Sequence, residues 1–319
     1  MATKKIDIVP DGDVYLICGN GSSVKIRVAS ASLIRGSDAF KAMLGPHFKE
    51  GRQLASKVGT IEIELEDDDP EAMTMLCRAL HSQFVSMPKE LNAASLMNLS
   101  IVADKHLCTG SLRFPSEVWI NKEMQKTGPL DRVSLLVAAY LFQQPELVNA
   151  VSLDLLLKSE GDVKRPIGDL PNEIDTLLEH LNKTKRTFEA EFALFMESDI
   201  LNRLSMNATY CKNGCLYSIV QAATLQKRLN TLRVWPVSKL LCGRSTMSLD
   251  KLLAASHSLD TTPTTTTPCK PSCCGIGVYA VDKDHLTFEG AKRKYSNKAT
   301  EMERRLSPLS YLCVRAGGG

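Results

Sequence analysis

Ten cysteines hold most of the chemistry this chain could offer, and five of them fall in two clusters: Cys211-x₃-Cys215 and Cys269-x₃-Cys273-Cys274. Cys242, His257 and Cys313 could complete a ligand set. Structural zinc takes four nitrogen or sulfur ligands in a tetrahedron, usually from two closely spaced pairs. The spacing here is irregular, and the second cluster adjoins Thr261 to Pro268, a Thr/Pro stretch too poor in apolar residues to form a core. Buried or tail thiols explain the pattern more simply, because free cysteine is among the most buried residue types. The expectation is therefore no obligatory cofactor. Zinc on Cys211, Cys215, Cys269 and Cys273 is the alternative.

Other reactive residue types give less. His47 sits in a Gly-Pro loop, His81 and His106 fall near helix ends, and none is spaced for a metal pair. No glycine-rich phosphate loop, Gly-x-Ser-x-Gly elbow or His-Glu-x-x-His motif occurs. The run Asp67-Asp68-Asp69 precedes Pro70-Glu71, so helix capping accounts for it without acid–base chemistry. Catalysis would require a constellation assembled only in space, and the expectation is a chain that is not an enzyme. Phe48-Lys49-Glu50 reads as a surface turn with one apolar anchor beside an acid.

The elements that must position these residues read as follows. Asp13 to Gly19 and Val24 to Val28 form a β-hairpin around Gly19-Asn20-Gly21, with Val24, Ile26 and Val28 on one face. Ser30 to Ile34 and Ser37 to Leu44 read as short helices, each opened by a serine, the second with Phe40, Met43 and Leu44 inward. Thr60 to Leu65 alternates as a third strand. Asp69 caps a helix bearing Met73, Leu76, Cys77 and Leu80, and helices follow at Leu91 to Leu107 and Leu112 to Met124. Gly128-Pro129 marks the expected domain boundary. Beyond it, helices are expected at 130–142, 145–157, 172–205, 216–229 and 249–257, with Trp235-Pro236 stopping the fourth.

At 319 residues, 44% of them hydrophobic, the chain is long enough for two globular domains. A net charge of +3 argues against nucleic acid as a partner of the whole molecule. Seven carboxylates crowd Glu62 to Glu71, and Lys292, Arg293, Lys294, Lys298, Arg304 and Arg305 lie near the end; solvated faces explain both. Lys292-Arg293-Lys294 is too short to argue for a nuclear address. The most apolar run, Val133 to Phe142, is about half a membrane span. No secretory leader is visible, so an intracellular address is expected, with reduced thiols and unglycosylated Asn98, Asn182 and Asn207.

The ordered set Asp13-Val-Tyr-Leu, Ile26 to Leu33, Ser37-Asp-Ala-Phe-Lys-Ala-Met-Leu44, Ile61 to Pro70 and Ile101-Val-Ala-Asp-Lys-His106 resembles the BTB/POZ domain. The resemblance covers about residues 8–125. It departs where many BTB domains place a histidine and this chain has Ala29-Ser30. The second half, with Cys211, Cys215 and Trp235-Pro236, is similar to the helical extension behind BTB domains of filamentous-fungal proteins.

The resemblance implies an α+β domain at 8–125, a three-stranded sheet with a helical cluster. A helical region at 129–258 and a Thr/Pro linker with a partly disordered, basic, Cys-containing tail at 259–319 complete the expected organisation. It also implies a module that binds protein partners, including a second copy as a homodimer. Two alternatives follow. One is a substrate adaptor on a cullin-type ubiquitin-ligase scaffold, using Phe48 and Glu50. The other is a transcriptional regulator with a zinc-stabilised C-terminal region.

Overall fold

Strand alternation decides the first unit. In the computed structural model, Val14–Cys18 (β2) and Val24–Val28 (β3) pair antiparallel, and Ile61–Leu65 (β4) runs parallel to β2 on its other side. The structure describes residues 4–19, 24–56, 59–126, 128, 131–166, 170–210, 217–231, 248–257 and 288–306. A fourth strand, Lys4–Asp7 (β1), corrects the expected three-stranded sheet: it lies parallel to β3 and gives the order β1-β3-β2-β4. Lys-Lys-Ile-Asp holds a single apolar residue, so its alternation is invisible in sequence, and backbone pairing alone recruits it. Val14, Leu16, Ile26, Val28, Ile61 and Ile63 point to one face and are buried. Gly19 closes β2 at φ +90°, a conformation that favours glycine.

Helices cover the buried face. Ser30–Gly36 (α1) begins at the expected serine, but Ala29 is the cap residue and its side chain makes no cap. Ser30 is instead held by Asp13, whose carboxylate accepts the Ser30 backbone N–H at 2.7 Å and its hydroxyl at 2.6 Å. Asp38–Met43 (α2) is capped by Ser37 as expected, with Phe40 fully buried and Met43 only half-buried. Lys49–Ala55 (α3) was not evident from the sequence, because Gly51 interrupts it; that glycine is where α3 crosses the preceding turn, and a Cβ there would lie 1.9 Å from the Gly45 carbonyl oxygen. Pro70–Leu80 (α4) starts as expected, with Asp69 accepting the Ala72 N–H at 2.7 Å. Ala93–Lys105 (α5) and Arg113–Met124 (α6) follow.

Arg132–Leu141 (α7) packs on α5 and α6, and Pro145–Lys158 (α8) comes next. The first compact unit is Met1–Val151 with Pro166–Ile174. Within α7, Leu135, Leu136, Val137, Ala138 and Ala139 are all fully buried.

In the second unit, Ser152–Arg165 with Asp175–Gly319, the regular secondary structure among the described residues is helical. It contains most of Asn172–Tyr210 (α9), then Tyr217–Thr231 (α10), Leu249–His257 (α11) and Phe288–Leu306 (α12). Helix α12 falls within the stretch expected to be linker and tail. Among its described side chains the apolar stripe is Tyr295, Ala299 and Met302, all fully buried, among many charges, which hides the period. The basic residues expected to be solvated are partly committed to α9: Lys294 pairs with Asp199 at 2.5 Å, and Lys298 and Arg305 pair with Glu191 at 2.6 and 2.7 Å. Tyr295 meets Phe192 and Phe195 edge-on at centroid separations of 6.3 and 5.0 Å. Lys185, buried on α9, donates to the Ser159 and Gly161 carbonyls at 2.6 Å, capping the chain after α8. No helix among the described residues is long and apolar enough to cross a membrane.

Candidate partner-binding surface

A few ionisable groups of the first unit are turned inward. Asp68, in the turn between β4 and α4, and His106, at the C-terminus of α5, are both buried, with the His106 Nε2–H donating to Asp68 Oδ2 at 2.7 Å. Lys105 donates to the other carboxylate oxygen at 2.7 Å. The His106 ring stacks on Phe40 at 4.7 Å with the planes 1° apart, and its carbonyl accepts the Ser37 hydroxyl. Burial alone pushes the Asp68 carboxyl up, but the hydrogen bonds from His106 and Lys105 outweigh it and hold the group below the usual carboxylate range. The histidine–carboxylate pair thus joins three elements and is roofed by a phenyl ring, which is a structural tie. His81 makes another: Ala29 N–H donates to its Nε2 at 3.0 Å, which places the proton on Nδ1, facing the Cys77 carbonyl at 2.7 Å.

Cys18, Cys77 and Cys108 are buried free thiols. Burial, with the charges of Asp68 and Asp69, pushes Cys18 up to about 12; burial and Asp104 push Cys108 up to about 12; burial raises Cys77 well above the usual value. Such thiols are protonated at neutral pH and are poor nucleophiles and metal ligands. Among the described residues no three His, Cys, Asp or Glu side chains are arranged to hold a metal ion. Cys211, Cys215, Cys242, Cys269, Cys273, Cys274 and Cys313, and with them the zinc alternative, lie outside the described residues, as do Trp235-Pro236 and Thr261 to Pro268. His257 is described, and its Nδ1 lies 2.8 Å from Ser296 Oγ in the second unit.

The first unit also turns apolar side chains outward. Six of the eight exposed large hydrophobic side chains among the described residues belong to it: Phe48, Phe84, Val85, Leu107, Phe114 and Val118. Phe114 and Val118, 81% and 53% exposed, sit at i and i+4 on α6 and so share one face. The opposite face fixes the helix firmly: Ile120 and Leu112 are fully buried, Trp119 Nε1 donates to the Pro88 carbonyl at 3.0 Å, and Gln144 Nε2 donates to the Arg113 carbonyl at 2.9 Å. Leu107, exposed between α5 and α6, holds φ +52°, an uncommon conformation for a branched side chain.

Of the two residues expected to bind a partner, Phe48 caps α3 and is 51% exposed, its backbone N–H held by the Gly45 carbonyl at 3.3 Å. Glu50 follows in the first turn of α3 and is half-buried. Phe114, Val118 and Leu107 were missed in the sequence because apolar residues in a helix read as core. The signal that separates them is angular: Phe114 and Val118 fall on the side of α6 away from Leu112, Trp119 and Ile120.

No protein-family model matches the chain, and no curated protein matches it either.

Proposed function

We propose that this chain is a non-catalytic protein-interaction module whose first unit is BTB/POZ-like. The element order supports the fold reading: a β2–β3 hairpin, the paired short helices α1 and α2, β4 returning parallel to β2, then α4 to α6. At the departure from the family pattern, Ser30 rather than a histidine engages Asp13. The observation that carries the functional reading is the outward pair Phe114 and Val118 on a helix immobilised from behind. Rigid apolar side chains left in water cost solubility and contribute nothing to the core, and such surfaces mark protein contacts. The test is affinity capture with the full chain as bait in extract of its source cells, comparing wild type with Phe114→Ser/Val118→Ser. Exposed positions change stability by only about 0.5 kcal/mol, so a lost partner reports the surface. An identical set of captured proteins in both baits refutes the assignment.

A second reading, adaptor for a cullin-type scaffold, draws on Phe48 and Glu50, which present an apolar side chain and an acid at the start of α3. Phe48→Ala/Glu50→Ala would abolish cullin capture with the fold intact. Wild-type chain that captures no cullin retires this reading.

A further inference from the structure

The sheet has a second face. Opposite the buried side chains, the register sets two rows across the strands: Lys5, Lys25, Ile17 and Glu64 in one, and Asp7, Arg27, Tyr15 and Glu62 in the other. Its charges are segregated. Lys5, Lys25 and Arg27 against Asp7 leave two net positive charges on β1 and β3, while Glu62 and Glu64 leave two negative charges on β4. Half-buried Tyr15 and Ile17 form an apolar strip between them. The Tyr15 ring lies 4.5 Å from Lys25 Nζ, 5.3 Å from Lys5 Nζ and 5.5 Å from the Arg27 guanidinium carbon. Arg27 is aimed by its Nε donating to the Gly12 carbonyl at 2.9 Å. Lys25 pairs with Glu62 across β2 and Lys5 lies 3.6 Å from Asp7, whereas Glu64 makes no ion pair among the described residues.

We propose that two copies of this chain associate face to face through this outer surface of the sheet, about a twofold axis running along β2. An axis along the strands exchanges the two sides of the sheet, so β2 lies on β2 and the basic β3 of each copy lies on the acidic β4 of the other. Within the rows, Lys25 then faces Glu64 of the second copy, Arg27 faces Glu62, and Tyr15 and Ile17 meet their own counterparts. An axis across the strands would set β3 on β3 and β4 on β4, like charge on like. Self-complementarity about one axis is the requirement of an isologous dimer. A nucleic-acid backbone would meet the acids of β4, which a balanced face does not favour.

The face is small. About this axis β3, β2 and β4 overlap and β1 overhangs: three strands about 4.8 Å apart and five residues of about 3.3 Å each give roughly 240 Å² of projected area, against about 800 Å² per partner in a standard interface. The dimer is therefore weak and salt-sensitive. The inference extends the interaction-module reading to a second surface and touches none of Phe48, Phe114 or Val118. Its failure would remove the sheet-face dimer and leave the α6 capture experiment as the separate judge of that reading.

The experiment is sedimentation velocity on the full chain over a concentration series at low salt. Wild type should shift from monomer to dimer. Glu62→Lys/Glu64→Lys and Lys25→Glu/Arg27→Glu, each alone, should remain monomeric, and an equimolar mixture of the two should dimerise again. Should either double variant unfold in a thermal melt, the single pair Lys25→Glu and Glu64→Lys asks the same question. Wild type monomeric throughout, association unchanged in both variants, or a mixture that stays monomeric overturns the proposal.

Discussion

Helix α7 belongs to the first unit energetically, and truncation tests this directly. A fragment ending at residue 125 lacks α7, whereas one ending at residue 174 retains the whole unit. Leu135, Leu136 and Val137 are fully buried and Leu141 nearly so. Burying each such side chain stabilises by about 1.5–3 kcal/mol. The four together contribute roughly 6–12 kcal/mol, comparable with the 5–15 kcal/mol net stability of a whole domain. Removing α7 also bares the face of α5 that it covers. The 1–174 fragment should unfold cooperatively in urea followed by far-UV circular dichroism. The 1–125 fragment should give a shallow, non-cooperative curve and bind a hydrophobic dye. Equal midpoints and equal slopes for the two fragments would refute the reasoning, because α7 would then add nothing.

Three further outcomes follow from the interior. Phe40→Ala should cost about 3–5 kcal/mol, read by chemical denaturation, since Phe40 is fully buried and stacked on His106; a change near zero would remove it from the core. Asp68→Asn should cost about 3–5 kcal/mol, as expected when one partner of a buried pair is removed. Because the folded Asp68 carboxyl is held below its unfolded value near 3.9, its stabilisation is present above about pH 4 and is lost as pH falls through the folded value. Wild type should therefore lose stability more steeply than the variant below about pH 4, and parallel curves would contradict the sign. Cys18, Cys77 and Cys108 should resist iodoacetamide in the native chain and react in denaturant, mapped by mass spectrometry; rapid native alkylation of any one would show that its burial is wrong.

Where side-chain pattern and backbone chemistry agree, the sequence is enough. β2 and β3 alternate and are joined through a glycine at positive φ. The start of α4 is written in Asp69-Pro70-Glu71, and α8 ends at Lys158, one residue beyond the expected 157. Two of the misread elements, β1 and α12, are defined by partners distant in sequence, and α3 is hidden by a close approach of the backbone nearby. β1 has one apolar residue and exists by pairing with β3; α3 carries a glycine needed for contact with Gly45; α12 depends on acids about a hundred positions earlier. The site was legible in part. Phe48 could be picked out because it sits in a turn, whereas Phe114 and Val118 needed the helix to be oriented before they could be told from core.

The ion pairs between α9 and α12 also impose a timetable. Glu191 and Lys298 are 107 residues apart in the chain. A ribosome adding about 5–20 residues per second needs roughly 5–20 s to produce the second after the first. For that interval the Phe192 and Phe195 side of α9 has been synthesised and its Tyr295 has not. The nascent second unit therefore carries an uncovered aromatic stripe while the first unit, complete much earlier, has already had time to close. That window is when this chain is most exposed to aggregation or to capture by a chaperone, and slowing synthesis between α11 and α12 would lengthen it.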